Sequence, residues 1–130
     1  MYYMSDEEFE GAIEGALDSI PDELVAEFEN VIVLVQDEPD NWQVSRRGDG
    51  KQSHSGDLLG LYDGVSLIDR GTGYGAIDDL PDTITIFKGP HERLSDDRDT
   101  VLEEVRKTVI HEVGHYFGMT EEQVEEMGYA

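Results

Sequence analysis

The sequence predicts a single α+β domain on three observations. An apolar stripe at helical spacing opens the chain, short β-branched or alternating runs fill its middle, and a long amphipathic helix carrying His-Glu-x-x-His lies near its end. The 130 residues leave room for one core and none for a second substrate domain. Apolar residues make up 38% and the formal net charge is -22. Such a charge accompanies disorder when apolar residues are scattered; here they gather in periodic blocks, so a folded domain with an acidic surface is expected. That surface repels phosphate backbones and anionic membranes, which speaks against nucleic acid and membrane partners. It suits either a high-salt cytoplasm or a need for solubility. With no cysteine there is no disulfide framework, and any zinc must be held by His and carboxylate. Met1-Tyr2-Tyr3-Met4-Ser5-Asp6 lacks the basic start and apolar core of a secretory signal. No apolar run approaches the roughly 18 residues of a membrane span, so the cytoplasm is the expected location.

Ser5-x-x-Glu8 reads as a capping box, and Phe9, Ile13, Ala16, Leu17 and Ile20 follow on one helical face. Pro21 ends that helix and opens a second, with Leu24, Val25 and Phe28 on its apolar side. Val31-Ile32-Val33-Leu34-Val35 is continuously apolar and β-branched, the pattern of a buried strand. Residues 38–57 turn loop-like, rich in Gly and Ser with Pro39 and Asn41, and with Trp42 and Val44 as anchors at the start. Arg46, Arg47 and Lys51 hold a third of the 9 basic residues in this stretch. They fit contact with an anionic partner or, more commonly, charge balance on a solvated loop. Residues 58–62 read as a strand, Asp63-Gly64 as a turn and residues 65–68 as a return strand. Residues 70–75 are glycine-rich but lack the ending of a phosphate loop, so they read as a connector from which Tyr74 could reach a site. Residues 83–87 alternate most strongly, with Ile84 and Ile86 on one side. No spacing rule recruits His54 or His91 as ligands.

Asp96, Asp97 and Asp99 open the long helix, which runs to Phe117. Val101, Leu102, Val105, Val109, Val113 and Phe117 share one face, and Glu103, Glu104 and Lys107 fall on the solvent side. His111 and His115 border the apolar face, awkward as core residues and natural as ligands facing a cleft. A turn of about 100° per residue sets His115 about 40° round from His111 and one turn along. Both rings can then reach one ion at about 2.0–2.1 Å, the usual zinc–imidazole distance. Glu112 lies about 100° from His111, able to work on a water beside the ion without being a ligand. Chance would give this pattern in a chain of such composition about once or twice in a hundred. Gly118 closes the helix, and Thr120-x-x-Gln123 caps a short final one carrying Val124 and Met127. A tight reversal at Gly118 would return Glu121 toward the ion.

The run from His111 to Glu121 resembles the extended zincin motif, in which a third ligand follows the glycine turn by three residues. The whole chain is similar to the small bacterial minimal-zincin family of metallopeptidase-like proteins. The similarity lies in the acidic first helix, the strand from Val31, Leu59-Gly60-Leu61-Tyr62, residues 83–89, and Arg93 with the segment leading into the metal helix. It implies one zincin-like domain over residues 1–130. Its fold would be a small mixed sheet of three or four strands, packed with an N-terminal helix, the long His-Glu-x-x-His helix and a short C-terminal helix. It implies Zn2+ held by His111, His115 and Glu121 with one position open for water, and Glu112 as general base in peptide-bond hydrolysis. The family carries aspartate where this chain has Glu121; the extra methylene changes its reach and leaves Glu122 as the other candidate. A peptide or protein substrate would lie along an open sheet edge, with residues 83–87 as the candidate. Tyr74 and Tyr116 are candidate oxyanion donors, although Tyr116 reads equally well as packing. The competing readings are a zinc-containing peptide- or protein-binding module that cleaves nothing, and a purely structural metal site.

Overall fold

The computed structural model of the chain describes residues 1–25, 31–46, 48, 50–64, 82–120 and 122–123, with the backbone alone for Leu24 and Val25. In order the elements are α1 (Asp6–Asp18), α2 (Asp22–Val25), β1 (Val31–Gln36), α3 (Asn41–Val44), β2 (Lys51–Gln52), β3 (Leu58–Asp63), β4 (Asp82–Phe87), α4 (Lys88–Glu92) and α5 (Arg98–Tyr116). The expected return strand at 65–68, the connector with Tyr74, the apolar side of α2, and Val124 and Met127 lie outside the described residues.

Ser5 starts α1 by accepting a hydrogen bond from the Glu8 backbone N–H at 3.0 Å. The Glu8 carboxylate accepts from the Tyr2 hydroxyl at 2.8 Å and from Arg98 Nε at 3.4 Å, joining the N-terminal arm to the start of α5. Phe9, Ile13, Ala16 and Ile20 are buried, with Leu17 packed at their margin. Asp97 begins α5, accepting from the Thr100 N–H at 3.0 Å and its hydroxyl at 2.7 Å. Val101, Val105, Val109 and Val113 are buried along that helix. β-branched residues cost a helix a few tenths of a kcal/mol each, whereas burying one side chain contributes about 1.5–3 kcal/mol. Packing therefore holds α5, and propensity does not.

The four strands form one mixed sheet in the order β1-β4-β3-β2. β1 runs parallel to β4 with Val33 opposite Ile84, β3 runs antiparallel to β4 with Gly60 opposite Ile86, and β2 runs antiparallel to β3 with Lys51 opposite Gly60. Tyr62, Ile84 and Ile86 meet α1 and α5 in the main core, while Leu58, Leu61 and Phe87 form a smaller cluster. This is the α+β architecture the sequence predicts.

Several local expectations change. β1 is an edge strand and not a buried one, with Ile32, Leu34 and Val35 exposed, because among the described residues it pairs on one side only. β4 is interior, so residues 83–87 cannot supply the open edge; both of its sides are paired. The far edge is β2, two residues inside the stretch expected to be loop. Trp42 does not anchor that stretch: it is 51% exposed and Val44 is exposed too, while Gln43 is buried. The Gln43 amide oxygen accepts from the Asp40 N–H at 2.7 Å and from Gln36 Nε2 at 2.8 Å, tying α3 to the end of β1. Arg93 grips both Glu38 carboxylate oxygens at 2.8 and 2.9 Å and Asp57 at 3.2 Å, so it joins the ends of β1 and α4 to the start of β3.

His91, on α4, is fully buried beside Phe9. Its Nδ1 lies 2.6 Å from the Phe87 carbonyl and its Nε2 lies 2.9 Å from the Thr108 hydroxyl. A carbonyl only accepts, so the neutral ring carries its proton on Nδ1, and the single Thr108 hydroxyl proton is shared between Nε2 and the Glu104 carbonyl, 2.8 Å from that hydroxyl. Burial pushes the ring's pKa down to about 4, with the nearby Lys51 charge acting in the same direction. The folded chain thus resists a proton that the unfolded chain accepts near pH 6.5. Stability from this group is complete above about pH 6.5 and falls by up to about 3 kcal/mol as pH drops toward 4. Urea unfolding of wild type and His91→Gln at pH 7 and at pH 4.5 checks this: the wild type loses more stability across that interval than the variant.

Candidate metal centre

The last two turns of α5 carry His111, Glu112 and His115. The i, i+4 spacing brings the Nε2 atoms of His111 and His115 to 3.1 Å, with ring centroids 4.7 Å apart and planes inclined at 42°. Both rings are half-buried. Two ligands of one tetrahedral zinc, each about 2.0–2.1 Å from it, stand about 3.3 Å apart. The pair therefore fits two corners of such an ion, and imidazole nitrogen is a donor zinc accepts readily.

Glu112 is fully buried. Its Oε2 accepts from the Lys51 backbone N–H at 3.1 Å, and its Oε1 lies 3.9 Å from His115 Nδ1. Burying a carboxylate is costly without such bonds, and a charge-assisted bond to a backbone N–H offsets part of that cost. Gly60 makes the arrangement possible. A Cβ at that position would lie 2.6 Å from Thr108 Cγ2 and 3.2 Å from Glu112 Cγ, so only glycine lets α5 approach β3 this closely. The sequence carried a signal for this, a lone glycine inside the strand-like run Leu59-Gly60-Leu61, but nothing in it pointed to Glu112 as the neighbour.

Beyond the pair, Gly118 takes a left-handed conformation at φ 71°. The Gly118 N–H donates to the His115 carbonyl at 3.0 Å and the Met119 N–H to the Gly114 carbonyl at 2.9 Å, which together make a Schellman turn. Thr120 N–H then donates to Gln123 Oε1 at 2.8 Å, and Gln123 N–H to Thr120 Oγ1 at 3.2 Å, a reciprocal capping box. Glu121 lies outside the described residues.

Residues 28–129 match the family described as zincin-like metallopeptidase. The chain belongs to that family. The match runs from before β1 to the C-terminal segment and includes the His-Glu-x-x-His helix. Among solved structures, the zincin-like chain is similar to a conserved hypothetical protein from Thermo thermophilus, with a TM-score of 0.55 and 18% identity over 95% of this chain and 97% of that one. At that identity the likeness shows a shared fold. No curated protein matches the chain. No helix among the described residues is long and apolar enough to cross a membrane.

Other candidate residues of this zincin-like chain fall away from the pair. Among the described residues no three His, Cys, Asp or Glu side chains are grouped to hold a metal, and Glu122 is exposed. Tyr116 is buried in the main core, edge-on to Tyr62 and Phe117, and packs there instead of facing the cleft as an oxyanion donor. His54 is exposed in the turn after β2. Replacing Gly60 by Ala is expected to cost about 1–3 kcal/mol, the usual range for overpacking. Because the intruding methyl meets Thr108 and Glu112, hydrogen exchange at the Lys51 amide should accelerate beyond the global loss of stability, which urea unfolding measures in parallel.

Proposed function

We propose that the chain is a zinc-dependent peptide-bond hydrolase in which His111 and His115 hold the ion and Glu112 is the general base. The observation that carries this reading is the 3.1 Å separation of the two imidazole nitrogens, beside a carboxylate buried in the same helical turn. Zinc, when bound, supplies a Lewis acid that lowers the pKa of water to about 7 and polarises a scissile carbonyl. Glu121 is the proposed third protein ligand; the reversal at Gly118 and the capping box just after it support that choice. Glu112 accepts a proton from the attacking water and delivers it to the amine of the leaving fragment. Its Oε2 is held by the Lys51 N–H, which orients the carboxylate beside His115. A peptide in extended form would add along β2, the sheet edge whose own backbone touches Glu112.

Two substitutions test the division of labour. His111→Ala should abolish stoichiometric zinc uptake, measured by competition with a chromogenic chelator. Glu112→Gln keeps an oxygen to accept from the Lys51 N–H, so it should fold and bind zinc like the wild type. Its hydrolysis of a broad peptide library should fall about 10²–10⁴-fold, the usual contribution of a general base. A wild type that binds zinc and peptides but cleaves nothing would make the chain a binding module instead.

A further inference from the structure

Among the described residues, six of the seven Lys and Arg side chains are neutralised by neighbours. Arg46 pairs with Asp63, Lys88 with Asp6, Arg93 with Glu38 and Asp57, Arg98 with Glu8, Arg106 with Glu103 and Lys107 with Glu104. Among the described residues, Lys51 is the one Lys or Arg side chain without an ion pair. That is conspicuous in a chain with 31 acidic and 9 basic residues. Lys51 is half-buried, and it lines a pocket of about 440 Å³ between the β2 region and α5. His54 and Leu94 form other parts of its wall, and α5 contributes Thr100, Glu104 and Lys107.

Two features connect this pocket to the metal centre. Thr100, Glu104, Lys107 and His111 follow one another at spacings of four, three and four, so they form a single stripe along α5 that leads from the pocket to the histidine pair. Lys51 itself lines the pocket and gives its backbone N–H to Glu112. Lys107 shares its charge with Glu104 at 3.7 Å, which leaves Lys51 as the uncompensated cation of the cavity. The chain's net charge of -22 disfavours anions in general, so an anionic group near the centre is favoured beside a cation without an ion pair.

We propose that this pocket receives a carboxylate of the peptide substrate, either an acidic side chain near the scissile bond or the terminal carboxylate. Lys51 is its main partner and Lys107 the second. The proposal rests on the peptidase reading for the word substrate, and its test does not depend on hydrolysis. The probes are short alanine–serine peptides with one Glu moved through every position, their Gln counterparts, and each as free acid and as C-terminal amide. Affinities are measured by calorimetry on Glu112→Gln protein, with zinc and in chelator, at low and at high salt. At one position Glu should bind about five- to tenfold tighter than Gln, as a partly solvated charge-assisted hydrogen bond gives. If the terminal carboxylate is the ligand, the acid should exceed the amide by that ratio instead. The preference should vanish with Lys51→Met, shrink with Lys107→Met, persist with Lys51→Arg and weaken in high salt. Equal affinity of Glu and Gln peptides and of acids and amides, a preference untouched by Lys51→Met, or no binding at all would overturn the pocket assignment. Cleavage by wild type without any such preference dismisses the pocket and leaves the peptidase reading standing. A Lys51-dependent preference in a protein that cleaves nothing does the reverse.

Discussion

The close approach of α5 to β3 across Gly60 is the contact on which the arrangement of polar groups depends. Thr108 and Glu112, one helical turn apart, both meet the strand where it has no side chain. Each is met by a partner from another element, and for the Glu112 carboxylate that partner offsets a cost the core would otherwise impose. Thr108 meets His91 of α4, and Glu112 meets the Lys51 N–H of β2. The helix therefore cannot slide or rotate without breaking both bonds at once. Around this polar seam the valines of α5 supply the stabilising burial, while the seam selects one register among those that the apolar face would accept.

Charge plays a different part. An excess of 22 negative charges favours expansion, and exposed ion pairs return little stability each. Three of the described cations are placed where elements meet. Lys88 to Asp6 links α4 with α1, Arg98 to Glu8 links α5 with α1, and Arg93 joins two strand ends through Glu38 and Asp57. Arg93 in particular sits between two carboxylates. Lys51 lines a cavity whose one carboxylate, Glu104, pairs with Lys107, so its placement there calls for another explanation than solubility.

The features legible in the sequence were those set by neighbours along the chain. The His111 and His115 spacing, the caps at Ser5 and Asp97, the Gly118 reversal and the Thr120–Gln123 box depend on residues within five positions, and the structure reproduces them. What failed depends on partners far away. A continuous apolar run such as residues 31–35 looks the same whether it pairs on one side or two, so its place at the sheet edge could not be read. β2 has two residues in a Gly- and Ser-rich stretch, and its pairing with β3 and the bond to Glu112 are its visible supports. Gln43 outcompeted Trp42 for burial because its amide finds partners in Asp40 and Gln36, which no hydrophobicity pattern encodes. The resemblance to minimal zincins reached further than periodicity because it carried long-range arrangement with it.

The same distinction between near and distant partners divides the proposed centre in two. Two of the three proposed ligands, His111 and His115, are fixed by a single helical turn, so any state of the chain in which that stretch of α5 is formed presents them at nearly the same separation. The proposed base is oriented from 61 positions away by the N–H of Lys51, and its burial requires α5, β3 and β2 to be assembled. Ion holding can therefore outlast a local opening of the sheet edge, whereas proton transfer by Glu112 cannot. β2 is the short edge strand on which that orientation rests, and it is also the strand along which a peptide is proposed to add. A peptide that pairs with β2 would extend the sheet and hold the Lys51 N–H on Glu112, so occupancy of the edge and readiness of the base become one event.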